Sequence, residues 1–211
     1  MIVMSKSSSL NAGSANTELS VIKLKKLREK VNKGEKILKI CIREHLELYK
    51  IDMILNFVPI SKRKISMEEA KKIKTNACLV LFQNQDFELI KEHIDILGLD
   101  IVQLHDESNE FCQKIKDLVV IKAIKASQKQ KAQNYDVDYI IFDNEKGSGL
   151  AYDYSILKDI ELPYLVAVDA NSIETIFSEL PNAIVDIASG AETNVLDMNK
   201  IRIIVDKVKK R

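Results

Sequence analysis

Cys41 closes the short apolar run Ile37-Leu38-Lys39-Ile40-Cys41, and Asp143 closes a similar run, Tyr139-Ile140-Ile141-Phe142-Asp143. Both runs read as β-strands. A thiol and a carboxylate at the ends of two strands far apart in sequence could face one another across a site, as base and acid of a proton transfer. Taken singly, each has a plainer role: a lone strand cysteine packs a core, and a strand-terminal Asp followed by Asn forms a turn. The elements that carry the two residues decide between these readings.

Residues 1–17, rich in Ser, Asn and Ala, read as a disordered tail without the apolar core of a secretory signal. Residues 18–34 read as one amphipathic helix, with Val21, Leu24, Leu27 and Val31 at helical spacing and a stop at Asn32-Lys33-Gly34. From 35 to 211 strands and helices alternate as a single domain. The apolar runs are Ile37–Cys41, Met53–Val58, Cys78–Phe82, Asp100–Leu104, Leu118–Ile124, Tyr139–Phe142, Tyr164–Val168 and Ala183–Ala188. Between them, Phe87, Ile90, Ile94 and Leu97 form one helix face. Ile173, Ile176, Phe177 and Leu180 form another, and Ile201, Ile204, Val205 and Val208 a third. Ser66 with Glu69 matches a capping box, and Asn171 with Glu174 does so more loosely.

Near-continuous apolar strands alternating with amphipathic helices specify a parallel sheet covered on its outside. Eight such units predict an α/β fold, a (β/α)8 TIM barrel. A doubly wound open sheet is second, because no G-x-G-x-x-G follows any strand. The stretch from Cys41 to the second strand is near the lower limit for a parallel crossover, so the first β-α unit is expected to be shortened. The helix at 18–34 is then an extra N-terminal element, either packed nearby as a partial replacement or appended.

In such a barrel the chemistry gathers at the carboxyl-terminal ends of the strands. Alternation places Lys39 on the same face as Cys41, Gln103 with His105, Tyr139 with Ile141 and Asp143, and Asp186 with Ala188. Lys122 is a further strand lysine. Several charges within strands imply a polar, mutually neutralising site. Lys122 or Lys39 would also suit a Schiff base. Cys78 and Cys112 read as core packing, and His45 and His93 as surface residues of charged helices.

The ordered segments Lys39-Ile40-Cys41, Phe57-Val58-Pro59 with Ser61-Lys62-Arg63, Gln103-Leu104-His105, Ile121-Lys122-Ala123 and Phe142-Asp143 form a set. Gly147-Ser148-Gly149, Tyr152-Asp153-Tyr154 and Asp186-Ile187-Ala188-Ser189-Gly190-Ala191-Glu192 complete it. Together they resemble phosphoribosylanthranilate isomerase of tryptophan biosynthesis, from about Lys36 onward. The resemblance implies a TIM barrel and an Amadori rearrangement of a phosphorylated small molecule without cofactor or metal. It assigns Asp143 as the acid that protonates the ribose ring oxygen and Cys41 as the base that takes the C2′ proton. An unperturbed thiol titrates near ~8.5, so Cys41 needs help to ionise, and Lys39 is the candidate. Asp143 needs desolvation or a nearby anion to keep its proton.

Substrate-binding roles fall on Arg63 for the anthranilate carboxylate, on Ser189 and Gly190 in the phosphate cradle, and on His105, Gly149 and Asp186. Four positions depart from the family pattern: Lys62 replaces a proline, Ile42 a glycine, and Val168-Asp169 a glycine pair of the phosphate cradle. A side chain and a carboxylate there would oppose phosphate binding. Ile42, Asp169 and the short first crossover motivate the alternative of a catalytically degenerate barrel that binds a ligand or partner.

Composition narrows the partners. The 211 residues carry a formal net charge of +1, so nothing suggests nucleic acid or an anionic membrane. Three scattered cysteines without a C-x-x-C support neither disulfides nor zinc and fit the cytoplasm. No apolar stretch approaches the ~18 residues of a membrane span. A monomer or homodimer is expected.

Overall fold

In a computed structural model of the chain, each of the eight apolar runs is a strand. They are β1 (Leu38–Ile42), β2 (Asp52–Asn56), β3 (Ala77–Phe82), β4 (Ile101–Leu104), β5 (Val119–Lys125), β6 (Tyr139–Asp143), β7 (Tyr164–Val168) and β8 (Ile184–Ile187). Each pairs in parallel with the next, and β1 pairs with β8, closing an eight-stranded barrel. The structure describes residues 38–42, 52–61, 64–72, 77–99, 101–144, 153–160, 164–168, 171–181, 183–187, 199, 202–204 and 206, with the backbone alone at 38–42, 52–55 and 77–79. The expected tail, the helix at 18–34 and the short first crossover lie outside them.

The helices are α1 (Met67–Lys72), α2 (Phe87–Leu97), α3 (Asn109–Lys114) and α4 (Ile173–Glu179). Two 3₁₀ segments, Ala126–Asn134 and Tyr154–Leu157, follow β5 and β6. The segment after β5 reads ASQKQKAQN, which has no apolar stripe to bury, and it buries only Ala126 and Ala132.

Strand alternation divides the core in two. Leu81, Ile101, Ile121, Ala123, Tyr139, Ile141, Leu165 and Ile184 fill the barrel interior. Phe82, Leu104, Val120, Ile124, Phe142, Val166 and Ile187 face the helices and meet Ile90, Ile94, Ile173, Ile176 and Leu180. Each fully buried Ile, Leu or Phe contributes ~1.5–3 kcal/mol, so this outer layer fastens the helices to the cylinder. The apolar faces expected for α2 and α4 are those buried. Of the face expected near the carboxyl end, Ile204 is described, and it is buried within a helical stretch.

Helix ends follow local chemistry. The Ser66 hydroxyl accepts from the Glu69 backbone N–H at 3.2 Å, and the Glu69 carboxylate accepts from the Ser66 backbone N–H at 2.7 Å. This reciprocal box starts a helix of six residues, too short to persist on propensity alone. Ser66→Ala is expected to cost about 1 kcal/mol of stability, read as a lower urea midpoint at unchanged slope. At α4 the N-cap position is held by Ser172 rather than Asn171, in the helical region, and the Ser172 side chain makes no cap hydrogen bond. Helix α2 stops at Gly98, whose φ of 63° is the left-handed conformation that glycine adopts without cost.

His93 departs from its expected surface position. It sits on α2 half-buried, its ring edge-on to Phe57 at 4.7 Å and to Phe82 at 5.7 Å. Cys112 is buried, as expected for core packing.

Candidate active site

The carboxyl-terminal rim of the barrel collects polar side chains above an apolar interior. On β2, Asn56 is buried; its carbonyl oxygen accepts from Val58 N at 2.9 Å and its amide donates to Ser61 Oγ at 3.1 Å. Beyond β3, the buried Gln83 amide donates to the Asp106 carboxylate at 2.5 Å. On β4, Gln103 is 3% exposed, and its amide lies 3.1 Å from His105 Nε2. With the Gln103 amide donating, a neutral His105 ring carries its proton on Nδ1. On β8, Asp186 is buried on the parity of Ile184, hence toward the barrel interior.

Asp143 ends β6, half-buried, on the parity of the interior residues Tyr139 and Ile141. Its register partner on β5 is Lys125. Asp143, His105 and Lys125 line one cavity of about 200 Å³ at the rim. Two of the expected site residues, Asp143 and His105, are thus brought together; Asp186 does not line this cavity.

Cys41 lies in β1 one residue before its end, level with Ile54 of β2. Two residues earlier, Lys39 is level with Asp186 of β8. In the closed strand order β1 is separated from β6 by β8 and β7, so Cys41 and Asp143 enter the rim from different sides. Arg63, Gly149, Ser189 and Gly190 lie outside the described residues. So does Asp169, but Val168 is described, and its side chain is buried in the layer between barrel and helices.

Lys122 corrects the strand-lysine reading. Gln103 of β4 is level with Ile121 of β5, and Ile121, Ala123 and Tyr139 belong to the interior. Lys122 therefore points outward, where it is 2% exposed. Its ammonium donates to the His105 backbone carbonyl and lies 5.3 Å from the centre of the Tyr135 ring. Burial pushes the Lys122 ammonium down, while Glu107, Cys112 and Asp106 push it back up. Burial likewise pushes the Glu107 carboxyl up, opposed by its own backbone amide, by Lys122 and by the Asn84 amide. Sequence reasoning passed over Glu107; the signal that would have flagged it is a glutamate two residues beyond His105, at the same strand end.

Among the described residues, no group of three or more His, Cys, Asp or Glu is arranged to hold a metal ion. No described helix is long and apolar enough to cross a membrane.

A closed parallel barrel with an acid, an imidazole and buried amides on its carboxyl-terminal rim defines a TIM-barrel protein of the enzyme type. The family model described as N-(5′-phosphoribosyl)anthranilate (PRA) isomerase matches residues 25–207. The N-(5′-phosphoribosyl)anthranilate isomerase of Clostridium acetobutylicum is 31% identical over 171 residues, covering 71% of this chain and 83% of its own. That of Caldanaerobacter subterraneus subsp. tengcongensis is 34% identical over 169 residues, again covering 71% and 83%. The crystal structure of the phosphoribosyl anthranilate isomerase from Thermotoga maritima superposes with a TM-score of 0.74 at 26% identity, covering 83% of this chain and 100% of that one. The chain belongs to the phosphoribosylanthranilate isomerase family. Relatives that all bear the enzyme's name do not favour the alternative of a degenerate binding barrel.

Proposed function

We propose that this protein catalyses the Amadori rearrangement of N-(5′-phosphoribosyl)anthranilate to the 1-deoxyribulose 5-phosphate product, a step of tryptophan biosynthesis. The observation that carries the reading is the joint placement of Cys41 and Asp143 near the carboxyl-terminal ends of β1 and β6 in one closed barrel of this family. Acid and base must reach different atoms of the same sugar, and strands on different sides of a rim achieve this where neighbouring residues would not.

In this reading Asp143 donates its proton to the ribose ring oxygen, the C1′–O bond opens, and an iminium forms. Cys41 as thiolate then takes the C2′ proton, and the resulting enolamine tautomerises to the amino-ketose. Lys39 assists the thiolate by its charge. Arg63 holds the anthranilate carboxylate, Ser189 and Gly190 contribute to the phosphate cradle, and His105, Gly149 and Asp186 complete the substrate contacts. Burial of Gln103 beside His105 supports the imidazole as a fixed hydrogen-bonding group rather than a mobile surface residue.

The first β-α unit is shortened in this proposal, since only residues 43–51 join β1 to β2. The protein works as a monomer or homodimer in the cytoplasm. A Schiff-base reaction at Lys122 is disfavoured, because its ammonium lies in the helix layer and donates to a backbone carbonyl.

The test is incubation of the purified protein with N-(5′-phosphoribosyl)anthranilate labelled with ¹³C at C2′. A ketone carbon signal should grow at the expense of the substrate signal. Absence of that signal with folded protein would overturn the assignment.

A further inference from the structure

Of the four residues that follow β4, three are tied by hydrogen bonds and the fourth, Glu107, is buried. The His105 carbonyl accepts from Lys122. The Asp106 carboxylate accepts from Gln83 at 2.5 Å and from Asn84 at 3.3 Å. Glu107 is 5% exposed, with neither carboxylate oxygen in a hydrogen bond of good geometry, and the Lys122 charge acts on it. The Ser108 hydroxyl caps α3 by accepting from Phe111 N at 3.3 Å. A segment of this kind is usually a mobile loop; here it is held from β3, from β5 and from the helix it precedes.

Lys122 is the unusual member. A buried cation is costly unless its charge and donors are used, and a hydrocarbon side chain would fill the helix layer at lower cost. Lys122 is level with Leu104, the last residue of β4, so its stem runs up the outer wall of the barrel to the carbonyl of the next residue. The carbonyl and the ring of His105 belong to one residue. Fixing the first from outside the wall limits the directions the second can take inside, where it lies 3.1 Å from the Gln103 amide.

We propose that Lys122 is a positioning residue for the isomerase site: from the outer face of β5 it holds the His105 backbone and so fixes the imidazole for substrate binding. The ammonium meets the His105 carbonyl and the Tyr135 ring, and Glu107, Cys112 and Asp106 act on its charge. The role is distinct from catalysis: Lys122 borders the same cavity as Asp143 and His105, but its ammonium donates to the His105 backbone carbonyl. The substrate-binding half of the proposal rests on the isomerase reading; the tether on His105 does not.

Lys122→Met keeps the volume and removes donor and charge. It is expected to raise KM by ~10–100-fold with a smaller change in kcat, the size of effect that a misplaced binding group produces. In a His105→Ala background the same substitution should change kcat/KM by less than ~3-fold, because the group through which Lys122 acts is gone. Equal losses in both backgrounds would mean a merely structural lysine and would overturn the proposal, as would an unchanged KM. Should Lys122→Met fail to fold, the paired Glu107→Leu/Lys122→Met removes both buried charges together and keeps an apolar layer. It should fold and show the same raised KM; wild-type KM in that variant would end the idea. The His105 imidazole resonances, followed by NMR in the free protein, test the tether without turnover. They should shift and broaden in Lys122→Met, and identical spectra would overturn it. A wild-type protein that does not turn over the substrate would defeat the isomerase reading and leave this last measurement standing.

Discussion

Asp143→Asn is expected to lower kcat by ~10²–10⁴-fold while leaving the fold and most of the substrate affinity in place. Asn has the shape of Asp and still donates a hydrogen bond, but it cannot release a proton to the ribose ring oxygen. The ring then has to open against an unneutralised alkoxide, and the first step of the rearrangement becomes limiting. Stability should change little, because Asp143 is half-buried at a strand end, outside both apolar clusters. Steady-state kinetics with a parallel binding titration of a non-reacting product analogue separates the two effects. Turnover within ~10-fold of wild type would remove Asp143 from the acid role, however well placed it is on the rim.

Cys41→Ser carries the second large effect, and it acts on the later step. An alcohol is a far weaker acid than a thiol, so at neutral pH the serine variant offers no anion comparable to a thiolate for the C2′ proton. A fall of ~10²–10⁴-fold in kcat is expected. Its signature differs from that of Asp143→Asn. With the base lost, Asp143 can still open the ring, so exchange of C2′ hydrogen with solvent deuterium should stop while ring opening persists. The wild-type profile should rise with pH as the thiol ionises and fall as the acid loses its proton. In Cys41→Ser the rising limb assigned to the thiol should vanish. A variant that retained both full turnover and that limb would sink the assignment of Cys41 as base.

The barrel itself was legible because its strands are apolar on both faces. Runs such as Val119 to Ile124 and Tyr164 to Val168 satisfy an interior and a helix layer at once, and all eight of them are strands. Legibility ended where orientation mattered. The segment from Val119 to Lys125 carries lysines at 122 and 125, on opposite parities, and nothing local says which parity faces inside. Only pairing with β4, which sets Gln103 beside Ile121, turns Lys122 outward. His93 escaped for a related reason. Lys91 and Glu92 precede it on α2, but its ring packs on Phe57 and Phe82, residues outside that helix. Glu107 was hidden because a glutamate beyond a strand end is ordinarily solvated, whereas this one is 5% exposed.

Closure of the cylinder joins its first strand to its last. Leu38 is level with Val185, Lys39 with Asp186 and Ile40 with Ile187. These partners are the most distant in sequence of any adjacent strands in the sheet, so the seam carries the largest loop-closure entropy and should form late in folding. During synthesis β1 has β2 on one side but offers a bare edge on the other until β8 leaves the ribosome. A bare parallel edge is a template for a second chain. Cys41 lies one position past the last of those three pairs, so the residue assigned the base role takes its final surroundings only when the ring of strands is complete.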